Sequence, residues 1–146
     1  MTFLGEPYMS NPFEIELAVR DSELDAFGVV NNAIFSVYIE HGRHELLRDM
    51  GLDIKAIMRT GDALALAEQT LKFFGPLRSG DHFIVSTRIS KVSAVRLIFE
   101  QAVFRLPEKE KVLEASSVGC FLDKRYKPTR IPADARVKLK LYCDTH

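Results

Sequence analysis

Between Asn32 and Met50 the chain carries one long helical pattern: Ile34, Val37, Tyr38, Leu46, Leu47 and Met50 recur at threes and fours, and Gly51 follows as a C-cap. Nothing constrains the fold more, because the longer segments after it all read as strands. Ala63 to Phe74, Phe83 to Val92, Val95 to Leu106 and Val112 to Leu122 are strand-like, and the breaks GPLRSGD, KVSA and PEKEK are turn-like. Short connections favour antiparallel neighbours. Ahead of the helix, Phe13, Ile15, Leu17 and Val19 alternate with Glu14, Glu16, Ala18 and Arg20, a strand with one wet face. Leu52 to Gly61 predicts a short second helix, and the tail IPADARVKLKLY a last amphipathic turn or two opened by Pro132. One long helix against an antiparallel sheet is an α+β arrangement. Apolar residues cover much of the helix's circumference, Phe35 and Ile39 included, so burial on several sides by a sheet wrapped around it is expected.

The 146 residues fit one domain, expected to span 1–146 with its core at about 13–132. Twenty basic and twenty acidic side chains cancel, so no bulk field draws the chain to nucleic acid or anionic lipid. No apolar run approaches the roughly 18 residues of a membrane helix. Cys120 and Cys143 lack metal-site spacing, and a reduced compartment is the easier reading. The leading MTFLGEPYMSNP has the pattern of neither a signal nor a transit peptide, so a targeting segment is expected to have been removed or never to have existed.

The stretch RDSELDAFGVVNNAIF carries the chemistry. Acids at Asp21, Glu23 and Asp25 precede a turn at Gly28, and the amides of Gly28, Val29, Val30, Asn31 and Asn32 precede or begin the helix, where backbone N–H groups lack intrahelical partners. Such donors favour an anion or a developing oxyanion. A carboxylate three residues before the turn can then stand beside a carbonyl whose oxygen those amides hold, the layout of an acyl-transfer site. N-capping is the alternative role for Asn31 and Asn32, and the two are compatible.

From Phe13 to Pro132 the chain resembles the hotdog-fold thioesterases of the 4-hydroxybenzoyl-CoA thioesterase type, through RDSELDAFGVVNNAIFSVYIEHGRHELL and SGDHFIVSTRISKVS. ELDAFGVVNNA, HGRHELL, GDALAL, KFFGPLRSGD and RIP are closer still to the plant acyl-lipid thioesterases and methylketone synthase II proteins. The resemblance implies a five-stranded antiparallel sheet around the long helix, assembly as a homodimer or homotetramer, and an active site between subunits. It places the catalytic aspartate of the D-x-x-G-x-V motif at Asp25, leaving Asp21 and Glu23 as solvated or structural acids. It implies hydrolysis of fatty acyl or 3-ketoacyl thioesters of acyl carrier protein, or of coenzyme A, without a cofactor. It also implies the plastid stroma for a plant chain and the cytoplasm for a bacterial one. The chain departs from the plant pattern at Phe35, Glu40 and Phe121, where tyrosine, glutamine and tryptophan are usual.

Other candidates carry less. Glu40 on the helix is a possible supporting acid that orients the turn or a water. Glu68, in an otherwise apolar strand, reads as a buried acid that assists water or satisfies a backbone donor. His41 and His44 lack the further ligands of a zinc site, so no metal is expected. Arg43 and His44 are expected to meet a neighbouring helix, a partner subunit or the phosphates of a carrier arm. Cys120 reads as a buried small hydrophobe. Lys72, Arg78, Lys91, Arg125, Lys127 and Arg130 offer positive charge to a phosphopantetheine or an acidic carrier protein, though solvated charges would look the same. A thioester needs one carboxylate only, because a thiol of pKa about 8.5 leaves readily. Competing readings are an aromatic acyl-CoA thioesterase, a non-catalytic acyl-binding protein, and a dehydratase, which would need a histidine in the turn.

Overall fold

The long helix α1 runs over Asn32–Asp49, and its start is set by Asn31, whose extended backbone and side-chain oxygen cap the Ala33 N–H at 2.8 Å. It ends at Met50, and Gly51 takes the left-handed conformation, φ +81°, that turns the chain away. The computed structural model describes residues 12–143, so all but Pro12 of the leading MTFLGEPYMSNP lies outside the described residues.

Around α1 run β1 (Phe13–Ala18), β2 (Ala63–Phe73), β3 (His82–Val92), β4 (Arg96–Arg105) and β5 (Glu110–Leu122), with short α2 (Ile54–Arg59) between α1 and β2. They form one antiparallel sheet in the order β1-β3-β4-β5-β2, the α+β arrangement expected. The tail forms a helix of ten residues, α3 (Ala133–Tyr142), longer than the predicted turn or two, and it seats Ala135 and Leu139 in the core.

The helix buries one face. Phe35, Tyr38, Ile39, Gly42, Arg43, Leu46 and Leu47 are buried, whereas Val37 is 53% exposed, so the expected burial on several sides is not met within one chain. Gly42 allows the close approach: a Cβ there would stand 2.7 Å from Val85 Cγ1 and 2.9 Å from Thr87 Oγ1. Two apolar clusters flank this point. One joins Phe35, Tyr38, Ile39, Leu77, Phe83 and Leu113 near the start of α1; the other joins Leu46, Leu47, Ile89, Phe99, Phe121 and Leu139 near its end. Each fully buried side chain of this size contributes about 1.5–3 kcal/mol.

Between the clusters lies a belt of buried polar groups. Arg43 Nη1 donates to Gln101 Oε1 at 3.3 Å and to Ser117 Oγ at 3.2 Å. Gln101 Nε2 donates to the Ile39 carbonyl and to Thr87 Oγ1, both at 2.9 Å, and Gln69 Nε2 donates to Ser117 Oγ at 3.0 Å. Arg43 thus faces the sheet, not the neighbouring helix, partner or phosphates expected for it. Burial depresses its pKa, with the nearby Glu40 charge opposing.

The sheet's two edges differ. Edge strand β1 is six residues long and carries Glu14 and Glu16 outward, which discourages further pairing. Edge strand β2 is eleven residues long, with Leu66, its fourth residue, 50% exposed.

Candidate active site

The acid-rich stretch folds as a 3-10 turn, Asp21–Glu23, and a tight turn that returns the chain to the start of α1. Leu24 bridges Val30, and the Asn31 N–H donates to the Glu23 carbonyl at 3.0 Å. Gly28 closes the turn at φ +78°, a conformation that disfavours any side chain. The turn is tied to the sheet by the Val30 N–H, which donates to the Leu77 carbonyl at 2.9 Å, and by the Val29–Arg78 bridge.

Asp25 lies at the mouth of this turn, half-buried. Its Oδ1 accepts the Phe27 N–H at 2.8 Å and the Val29 N–H at 3.4 Å. Among the described residues its Oδ2 receives no donor, so one oxygen is anchored and the other is open to a reactant. Asp21 accepts from Ser79 Oγ at 2.6 Å on the surface.

The five predicted amides do not share one role. The Gly28 N–H donates to the Asp25 carbonyl at 3.1 Å, Val30 and Asn31 donate as above, and Val29 turns toward the Asp25 carboxylate. Gly28, Val29 and Asn31 are spent on closing the turn, because so tight a reversal brings its own acceptors within reach, and Val30 is spent on tying it to Leu77. The Asn32 N–H, first of α1, has no acceptor among the described residues, as the geometry of a helix start requires. One amide of the five is therefore free to hold an oxyanion.

Glu23 is structural, and its burial was not read from the sequence. It is 8% exposed and accepts the Arg20 N–H at 2.9 Å, the Tyr38 hydroxyl at 2.7 Å and the Arg20 guanidinium at 3.1 Å. Burial pushes its pKa up, but the Arg20 amide, the Tyr38 hydroxyl and the guanidinium outweigh it and hold the carboxyl below the ordinary 4.5. Burial, and then the Glu23 charge, raise the Tyr38 phenol well above its usual range. The signal was available in Tyr38, whose place on the buried face of α1 forces its hydroxyl to find a partner.

The structure does not bring Glu40 to Asp25 within the protomer. Glu40 lies eight residues beyond Asn32, about 12 Å along the helix, exposed beside a cavity of about 90 Å³ that Arg43, His44, Leu64 and Leu66 also line. Glu68 is exposed, not buried. The strand bulges between Leu66 and Glu68, which reverses the alternation and sends Glu68 to the outer face opposite Val118. His41 and His44 are exposed, and Cys120 is buried and free. A larger groove of about 290 Å³ lies on the sheet's outer face, among Lys72, Arg88, Glu100 and Phe104, away from the turn. Among the described residues no helix is long and apolar enough to cross a membrane.

The family model of the thioesterase-like superfamily matches residues 19–139. The chain is 51% identical over 134 residues to the acyl-acyl carrier protein thioesterase ATL3, chloroplastic, of Arabidopsis thaliana, covering 92% of this chain and 70% of that protein. It is 53% identical over 123 residues to ATL2 of the same plant, covering 84% and 65%. The chain thus spans about two thirds of the length of these relatives. Among solved structures, the 1,4-dihydroxy-2-naphthoyl-CoA thioesterase Slr0204 of Synechocystis superposes with a TM-score of 0.84 at 21% identity, covering 89% of this chain and 96% of that one.

Proposed function

The chain belongs to the thioesterase-like superfamily, and on that premise we propose that it hydrolyses fatty acyl or 3-ketoacyl thioesters of acyl carrier protein to the free acids. The observation that carries this reading is that the turn leaves one Asp25 carboxylate oxygen and the Asn32 N–H, seven residues on at the start of α1, without partners among the described residues. The thioester carbonyl oxygen sits on the Asn32 N–H, where the helix dipole adds to the stabilisation. Asp25 Oδ2 then attacks the carbonyl carbon to form a mixed anhydride that water afterwards opens to the free acid and the Asp25 carboxylate, or takes a proton from the water that attacks the carbonyl directly. Either way the thiolate departs with little acid assistance. Oδ1 stays bonded to the Phe27 and Val29 amides, which fixes the carboxylate's aim.

The same reading makes the protein a homodimer. A long edge such as β2, with Leu66 half exposed, is what proteins cover, and two protomers joined there by a two-fold axis would run their β2 strands antiparallel in one continuous sheet. For a plant chain the site of action is the plastid, in keeping with the word chloroplastic in the names of the Arabidopsis relatives.

The test is thiol release from a panel of acyl carrier protein and coenzyme A thioesters, saturated and 3-keto, short to long, by the wild type and Asp25→Asn. The amide retains an oxygen for the Phe27 and Val29 donors, so the turn persists while the nucleophile or base is lost. Hydrolysis of carrier-protein substrates by the wild type, reduced at least about a thousandfold in the variant, is the expected result. A folded wild type that releases thiol from none of them overturns the reading in favour of an acyl-binding protein.

A further inference from the structure

The segment 123–130, DKRYKPTR, carries four cations and one acid on a chain whose total charge is zero. The acid is turned inward: Asp123 Oδ1 accepts the Arg125 N–H at 2.8 Å and the Lys127 N–H at 3.1 Å. Lys124, Arg125, Lys127 and Arg130 are exposed, and among the described residues no ion pair reaches any of them. Arg20, Arg48, Arg59, Arg105, Lys109 and Lys111 each lie against a carboxylate, and among the remaining exposed cations of the described residues only those of this loop stand four within eight residues. The loop is also held in shape. Asp123 and Lys127 pair through the backbone at 2.8 Å, Leu122 bridges Pro128, the Ile131 N–H donates to the Ala94 carbonyl at 2.8 Å, and Tyr126 is fixed at φ +65°. Four like charges on a rigid loop repel one another, and an acidic surface relieves that repulsion.

Its location identifies the partner. Lys124 packs on Gly61, just ahead of β2, and Leu122 pairs with Ala63 at the first residue of that strand. The Asp25 turn lies beyond the other end of β2, where Phe73 meets Phe35 with ring centroids 5.7 Å apart and Leu77 accepts from Val30. Ten strand residues, about 33 Å, separate the two ends, so the loop is remote from the Asp25 of its own protomer. Antiparallel pairing of β2 edges reverses this and sets the loop of one protomer beside the acid turn of the other.

We propose that the 123–130 loop of each protomer is the docking surface for the acidic face of the carrier protein whose acyl thioester is cleaved at Asp25 of the partner protomer. This rests on the thioesterase reading and on the β2-edge dimer.

The variant Lys124→Ser, Arg125→Ser, Lys127→Ser, Arg130→Ser removes the charge without touching the core. For acyl carrier protein substrates its KM rises at least about tenfold and the salt dependence of kcat/KM flattens, with kcat unchanged within about twofold. The uncharged acyl-N-acetylcysteamine thioesters are turned over as by the wild type. Co-expressed hybrids of this variant with Asp25→Asn settle the geometry: one complete site forms in each hybrid dimer, so with carrier-protein substrate well below KM a statistical mixture recovers about a quarter of wild-type activity. Hybrids no more active than the two parents place the loop on its own protomer and overturn the proposal. An unchanged KM for the carrier-protein substrate overturns it too, as does an equal loss with acyl-CoA, which would make the loop a phosphate site. Should the wild type hydrolyse no thioester, the thioesterase reading fails by itself. Fluorescence anisotropy of labelled holo-acyl carrier protein, tight with the wild type and at least about tenfold weaker with the loop variant, still tests the docking surface, and equal binding refutes it.

Discussion

Replacing Asn32 with proline removes one N–H and little else, which makes it the sharpest test of the proposed oxyanion site. From Phe27 to Asn31 every backbone amide is already engaged, four within the turn and Val30 with the Leu77 carbonyl, and the Ala33 and Ile34 amides donate to the Asn31 side chain and carbonyl at 2.8 and 2.9 Å. The Asn32 N–H therefore has no understudy. Loss of a single oxyanion donor costs about 2.7–4 kcal/mol, or 10²–10³ in kcat. The fold loses little, because proline is favoured at the first position of a helix, where the N–H is unpaired in any case. Asn31, at φ −61° and ψ 137°, already has the extended backbone that a following proline requires. Asn32→Ala keeps the N–H and serves as the comparison. With thiol release under saturating substrate and thermal unfolding by circular dichroism, Asn32→Pro shows the full loss of kcat at a near wild-type Tm, and Asn32→Ala stays within about threefold of wild type. A folded Asn32→Pro enzyme that keeps its kcat refutes the reasoning, because the oxyanion must then be held elsewhere. Equal losses in the two variants would move the effect to the asparagine side chain.

Tyr38→Phe deletes the hydroxyl that donates to the buried Glu23 carboxylate and destabilises the protein by about 1.5–3 kcal/mol at pH 7. Because the folded state holds the Glu23 pKa below the ordinary 4.5, this stabilisation is present above that value and is lost as pH falls through the lowered one. The gap in Tm between wild type and variant accordingly narrows from pH 7 to pH 3, and a gap independent of pH would count against a charged Glu23. Leu66→Lys puts a cation on the long β2 edge and shifts the dimer toward monomer in sedimentation equilibrium. An unchanged oligomeric state would remove that edge from the contact.

The architecture was legible where one periodicity ran unbroken. The alternation of Phe13, Ile15 and Leu17 marks β1, and the threes and fours from Ile34 to Met50 mark α1 to within a residue. The turn's glycine and the asparagine cap were equally plain. What the sequence did not show was where hydrogen bonds end. The amides of Gly28, Val30 and Asn31 look available until Asp25, Leu77 and Glu23 present their carbonyls, and Leu77 is 47 residues from Val30. Glu68 was misread because a bulge reverses strand parity without a local signature in the sequence. Arg43 follows Ile39 and precedes Leu46 and Leu47 on the buried face of α1, so its burial was implicit in the spacing. Charge alone suggested otherwise.

The polar belt across the middle of the core has a consequence for how such a protein changes over generations. Hydrogen bonds among Arg43, Gln101, Thr87 and Ser117 are directional, so they fix the rotation and height of α1 against the sheet independently of the apolar packing above and below. Aliphatic and aromatic side chains tolerate exchange when volume is conserved. A lineage can therefore swap residues in the half around Phe35, Leu77 and Phe83, beside the acid turn, while the half around Leu46, Phe99 and Phe121 is inherited unaltered. The belt works as a bulkhead, and drift on one side of it need not be answered on the other.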